Sequence, residues 1–95
     1  MSLHTLFKAR QAIEKHIPLI DVRSKQEYAA GHFEGAVNIP LSALEQAEVK
    51  NGSYVYCRTG GRAGMAKEIL AKRNIAIENI GGVEGVDAKD LVQGN

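Results

Sequence analysis

Tyr54-Val55-Tyr56-Cys57-Arg58-Thr59-Gly60-Gly61-Arg62-Ala63-Gly64 is the stretch on which the rest of the chain depends. It opens as an apolar, β-rich run and ends that run on the one cysteine of the sequence. Two arginines and two glycines fall in the five residues that follow, and an amphipathic helical pattern comes next. The order predicts a strand, a tight glycine-bearing loop and a helix start in direct succession. A helix start carries free backbone N–H groups and partial positive charge. A thiol in such a place ionises more readily, and the thiolate is the reactive form of cysteine. Arg58 and Arg62 add permanent charge and forked donors suited to a tetrahedral oxyanion. The pattern describes an activated nucleophile beside an anion-binding cradle. A lone cysteine at a strand end is ordinarily a small buried hydrophobe. A structural cysteine has no use for two arginines and two adjacent glycines beside it.

Upstream, Leu3, Leu6, Phe7, Ile13 and Ile17 recur at helical spacing, which predicts an amphipathic helix over residues 3–16 that packs on a sheet and is ended by Pro18. Leu19-Ile20-Asp21-Val22 has the pattern of a short strand buried on both faces. Ser24-Lys25-Gln26-Glu27 matches a capping box and predicts a helix from Lys25 to a stop at Gly31. Gly35 marks a turn, Ala36–Ile39 a strand stopped by Pro40, and Ser42-Ala43-Leu44-Glu45 a second capping box. Asn51-Gly52 is a turn before the strand Ser53–Cys57.

Downstream, Ala63, Ala66, Ile69 and Leu70 form the apolar stripe of a helix over residues 62–73, with Glu68 and Lys72 on its wet side. Ile75–Ile80 reads as the next strand, closed by Gly81-Gly82, and Asp87–Leu91 as a turn or two of helix. Strands alternating with helices imply an α/β fold with a central, mostly parallel sheet flanked by helices. In such sheets the active crevice lies outside the carboxyl ends of the strands, where Cys57 falls.

At 95 residues the expectation is a single domain over 1–95. A net charge of +1, with bases and acids interleaved, excludes the basic footprint of a nucleic-acid binder. One cysteine excludes an intrachain disulfide, and the scattered Cys and His residues exclude a structural zinc site. No apolar run approaches a membrane span. The first residues lack the charged start and apolar core of a secretory signal, so the expected compartment is periplasmic if an export signal was trimmed away and cytoplasmic otherwise.

Three motifs, in order, resemble those of rhodanese domains. Leu19–Arg23, Glu27-Tyr28 and Gly31-His32-Phe33-Glu34-Gly35-Ala36-Val37-Asn38-Ile39-Pro40-Leu41 resemble the opening signature. Cys57-Arg58-Thr59-Gly60-Gly61-Arg62-Ala63 resembles the active-site loop, and Gly81-Gly82-Val83 the glycine pair after the last long strand. The compact size and Gly64–Leu70 look most like the small phage-shock-protein-E type of single-domain rhodanese. The resemblance implies a three-layer rhodanese-like domain and a thiosulfate sulfurtransferase that works as a monomer without metal or organic cofactor. It implies Cys57 as the nucleophile that takes the outer sulfur of thiosulfate, or of another sulfane-sulfur donor, as a persulfide. The acceptor is then cyanide, a glutathione-like thiol or a protein thiol.

The N–H groups of Arg58, Thr59, Gly60, Gly61, Arg62 and Ala63 are expected to converge on the thiolate and the persulfide sulfur. Gly60 and Gly61 let the loop curl. Arg62 is expected to stabilise the anionic contents of the loop, and Arg58 to sit at its rim and attract the sulfonate end of the donor. Asp21, Arg23, His32, Gly81 and Gly82 are expected to be structural, with Glu27 within reach of Arg23 and His32 held by hydrogen bonds rather than acting as a base. Val83-Glu84-Gly85-Val86 lacks the aromatic residue many relatives carry, which leaves a smaller pocket wall. Three other functions have this loop or this fold. A non-catalytic binding module would typically have lost the cysteine. A persulfide carrier serving a protein partner would use the same loop. Rhodanese-fold phosphatases and arsenate reductases place one residue more between Cys and Arg than the four found here between Cys57 and Arg62.

Overall fold

The computed structural model describes residues 2–94. The helices are α1 (Ser2–Glu14), α2 (Lys25–Ala30) and α3 (Gly61–Ala71), and the strands are β1 (Leu19–Asp21), β2 (Val37–Asn38), β3 (Tyr54–Cys57) and β4 (Glu78–Gly82). Short 3-10 turns lie at Leu41–Ala43 and Ala88–Asp90. The sheet order is β2-β1-β3-β4, and every pairing in it is parallel. β1 and β3 are buried along their whole length, as apolar strands covered on both faces must be. Side chains alternate between two cores. Leu19, Tyr54 and Tyr56 join Ala9 and Ala12 of α1 on one face. Ile20, Val55 and Cys57 join Ala63, Ala66 and Leu70 of α3 on the other. The result is the three-layer α/β architecture expected from the sequence.

Several elements differ from the sequence reading in detail. The buried residues of α1 are Thr5, Ala9 and Ala12, whereas Leu3 and Phe7 are 76% and 64% exposed. Small side chains bring the helix close enough for Thr5 Oγ1 to donate to the Ile80 carbonyl at 2.8 Å. Before Pro18 is reached, α1 has already ended in a Schellman turn. His16 is left-handed (φ 59°), Ile17 N–H donates to the Ala12 carbonyl and His16 N–H to that of Ile13. Asn74 (φ 62°) ends α3 in the same way.

The capping box at Ser24 forms, with Glu27 N–H donating to Ser24 Oγ at 3.2 Å and Ser24 N–H to Glu27 Oε1 at 3.1 Å. The one expected at Ser42 does not. Pro40 stands at the cap of a single 3-10 turn without a side-chain cap bond, and the fully buried Leu44 draws the chain inward directly after it.

The largest displacement concerns β4. The apolar residues Ile75 and Ile77 approach the sheet as a loop that packs into the α3-side core, and the strand runs from Glu78 through the glycine pair. Gly81 and Gly82 therefore do not close the strand. They pair with Tyr56 and Cys57, after a bulge that skips Ile80.

Candidate active site

Cys57 ends β3 and is 1% exposed. The loop after it turns back through Gly60, whose φ of 105° lies in the left-handed region that glycine adopts at no steric cost. Gly60 is also the N-cap of α3. This turn directs the Gly60 N–H onto Cys57 Sγ at 3.0 Å, and the Ala63 N–H in the first turn of α3 reaches it at 3.4 Å. The sulfur thus sits under a helix start with two backbone donors aimed at it. Of the six expected donors, Gly60 and Ala63 have this role in the structure. Gly61 is the first residue of the helix, and a Cβ built on it meets nothing within 4 Å among the described residues. Its place does not rest on a positive φ, so of the two loop glycines only Gly60 uses the conformational freedom expected of both. Thr59 is exposed at the tip.

The floor of the loop is β4. Val83 N–H donates to the Cys57 carbonyl at 3.0 Å and Glu84 N–H to the Arg58 carbonyl at 2.9 Å. A Cβ on Gly82 would overlap the carbonyl of Arg58 and crowd the Thr59 nitrogen, and one on Gly81 (φ 103°) would meet Thr5 Oγ1. The glycine pair is what lets strand and loop backbone touch.

Both loop arginines pair with carboxylates. Arg62 meets Glu27 through two bonds of 2.8 Å, Nη1 to Oε1 and Nη2 to Oε2. Sequence spacing offered Arg23 as the partner of Glu27, but the start of α3 packs beside α2 and brings Arg62 to it, while Arg23 bonds Asp21. The Arg62 bonds hold the Glu27 carboxyl down to about 2, against a burial effect that opposes them. Arg58 pairs with Glu84 at 3.2 Å, with side chains 63% and 57% exposed, at the rim where Arg58 was expected.

Asp21 and Arg23 form a buried pair behind the loop. Arg23 Nε lies 3.0 Å from both Asp21 oxygens, its backbone N–H donates to Oδ1 at 2.8 Å, and its Nη2 donates to Oδ2 and to the Gly31 carbonyl, both at 2.6 Å. They bond each other, and Arg23 also bonds the backbone at the end of α2. Burial first, and then the Asp21 charge, push the neighbouring Tyr56 hydroxyl well above its ordinary value, so it stays protonated. His32 donates from Nδ1 to the Tyr28 carbonyl at 2.7 Å and stacks on the Tyr28 ring at 3.6 Å. Its backbone bridges to Val92 of the tail. These contacts fix the His32 ring and tie the end of α2 to the tail. An apolar cavity between α1 and the tail, lined by Leu6, Ile13, Phe33 and Leu91 among others, includes no residue of the Cys57 loop.

A strand delivering a cysteine into a helix-capping loop, on a parallel sheet between two helical layers, defines a class of α/β thiol domains. Comparison with known proteins gives the family. The rhodanese-like domain matches residues 4–89. Thiosulfate sulfurtransferase PspE of Escherichia coli is 38% identical over 74 residues, 70% of this chain and 71% of that protein. A solved rhodanese with anions from E. coli superposes with a TM-score of 0.67 at 34% identity, over 81% of this chain and 98% of that one. A rhodanese-like domain protein of Staphylococcus aureus shares the fold over 95% of both chains, with a TM-score of 0.77 at 22% identity. The chain belongs to the rhodanese-like domain family, as a rhodanese-like sulfurtransferase.

Proposed function

We propose that this protein is a thiosulfate sulfurtransferase with Cys57 as its sulfur acceptor. The observation that carries the reading is the pair of backbone donors, Gly60 N–H and Ala63 N–H, on a sulfur at the head of α3. The Cys57 thiolate attacks the outer sulfur of thiosulfate. A new S–S bond forms, the bond to the sulfonate sulfur breaks, and its electron pair leaves with sulfite. The persulfide is then attacked at its outer sulfur by cyanide, giving thiocyanate, or by a thiolate, giving a new persulfide. Either acceptor returns the Cys57 thiolate. These are two displacements through a covalent intermediate, with ping-pong kinetics. The loop donors stabilise anionic sulfur throughout, without reorganising between steps.

Arg58, at the rim and paired with an exposed carboxylate, is the group that meets the sulfonate end of the donor. Arg62 holds the start of α3 against α2 through Glu27 and adds long-range positive charge to the loop. A persulfide carrier that hands sulfur to a protein thiol would use the same first half-reaction. Turnover with thiosulfate and cyanide, compared with transfer to glutathione and to a protein thiol, separates the acceptors. Absence of turnover with all three, in a folded protein bearing a free Cys57, would defeat the proposal.

A further inference from the structure

Asn79 lies outside every motif read from the sequence, yet its side chain joins two backbone irregularities that meet at the sulfur. The first is the β4 bulge. Asn79 pairs with Val55, Gly81 with Tyr56, and Ile80 is left over between them. Asn79 Oδ1 accepts from the Gly81 N–H at 2.9 Å, bridging the skipped position in the manner of an Asx turn. The second is the left-handed N-cap of α3. Asn79 Nδ2 donates to the Gly60 carbonyl at 3.2 Å, which also accepts the Gly64 N–H at 3.0 Å. Gly60 is the residue whose own N–H donates to Cys57 Sγ.

We propose that Asn79 is a positioning residue, which fixes Gly60 so that its N–H stays aimed at the Cys57 sulfur. The inference rests on the reading of Cys57 as sulfur acceptor. The chemistry is specific to an amide of this length. One end must accept from an N–H and the other must donate to a carbonyl, and only Asn presents both three bonds from Cα. A carboxylate would set an acceptor against the Gly60 carbonyl. The bond to that carbonyl, with the helix bond from Gly64, fixes the Gly60–Gly61 peptide plane; the N–H aimed at the sulfur lies across the same Cα, in the Thr59–Gly60 peptide. Asn79 touches no reacting atom. It acts through Gly60.

Asn79→Ser divides the two bonds. A serine hydroxyl accepts from the N–H two residues on, as in an ST turn, so the bulge stays bridged. It is too short to reach Gly60. Two readouts are used. The first is the rate of Cys57 alkylation by iodoacetamide at neutral pH, which does not depend on the sulfur donor. The second is thiosulfate turnover split into kcat and KM. The expected result is an unfolding midpoint near that of the unaltered protein, alkylation slowed by about tenfold, and kcat lowered with KM little changed. Alkylation of Asn79→Ser at or above the unaltered rate overturns the inference. Asn79→Ala, which loses both bonds, is the second variant. It should lower the unfolding midpoint and alkylate no faster than Asn79→Ser. A folded Asn79→Ala that alkylates at the unaltered rate, with only its stability reduced, would make Asn79 merely structural and equally overturns the inference. If alkylation responds as expected while no variant and no unaltered protein turns over thiosulfate, the positioning role stands and the donor assignment falls.

Discussion

Gly82 of β4 lies against the Arg58 carbonyl so closely that a single methyl group on Gly82 would overlap it. The neighbours in question are backbone atoms, Arg58 O and C and Thr59 N, and they have no rotamer by which to yield. Gly82→Ala should therefore displace the loop, at a cost of about 1–3 kcal/mol in stability and about tenfold or more in sulfur transfer. Gly61→Ala is the contrast. Its Cβ meets nothing within 4 Å among the described residues, and alanine favours the helix it would begin, so stability should hold or rise by about 0.4–1 kcal/mol. Thermal unfolding and turnover of the two variants check the pair. Equal losses in both would show that the loop, rather than its contact with β4, sets the requirement for glycine.

The Glu27–Arg62 pair predicts an acid-sensitive contribution to stability. The carboxyl ordinarily titrates near 4.5 and is held at about 2 in the folded protein, chiefly by the Arg62 bonds. Its contribution is complete above pH 4.5 and is lost as the pH falls from there toward 2. Both side chains are about one-third exposed, so solvent screening limits the pair to about 1 kcal/mol or less. Glu27→Gln still caps Ser24 and should lower the urea midpoint at pH 7. The gap between variant and unaltered protein should close by pH 2. A gap that is the same at both ends of that range would remove the pair from the stability of the fold.

How far these contacts could be read from the sequence depends on their range. The strand–loop–helix around Cys57 was legible because its signals are local: an apolar run, a glycine that must turn, and a helical stripe. The Ser24 capping box was legible for the same reason. β4 was misplaced because Ile75-Ala76-Ile77 has the composition of a strand and Gly81-Gly82 that of a stop, whereas a bulge and the close approach of the Cys57 loop put the glycines inside the ladder. The end of α1 was read from Pro18, while the turn is made by His16, a residue with no strong left-handed signal. Glu27 and Arg62 are 35 positions apart, and Asn79 and Gly60 are 19 apart. No spacing rule joins such residues; the packing of α2 and β4 around the loop does.

Glu84 occupies Arg58 at the rim and should compete with an anionic donor for it. Glu84→Gln frees the guanidinium. An exposed pair is worth about 1 kcal/mol at most, so the KM for thiosulfate should fall by about fivefold or less, with kcat unchanged. The effect should shrink in high salt. Steady-state kinetics at two ionic strengths measure it. A fall in kcat, or an unchanged KM at low salt, would place Arg58 outside donor binding.

Four residues separate Cys57 from Arg62, and the proposed function takes this loop to be sized for one sulfur atom on the cysteine rather than for a tetrahedral oxyanion above it. Charge does not separate the two chemistries, because both use a thiolate among arginines and backbone donors; loop geometry does. The unaltered protein should show no turnover of p-nitrophenyl phosphate. Insertion of one glycine between Gly60 and Gly61 should reduce sulfur transfer. Phosphatase turnover by the unaltered protein that disappears in Cys57→Ser would reverse this assignment.

Intact mass after treatment with thiosulfate reads the sulfur acceptor without an intervening assay. The unaltered protein should gain the mass of one sulfur atom, release sulfite in equal amount, and lose the added mass on exposure to cyanide or a thiol. Cys57→Ser should gain nothing. An unaltered protein that keeps its original mass, or a serine variant that takes up sulfur, would contradict persulfide formation at Cys57.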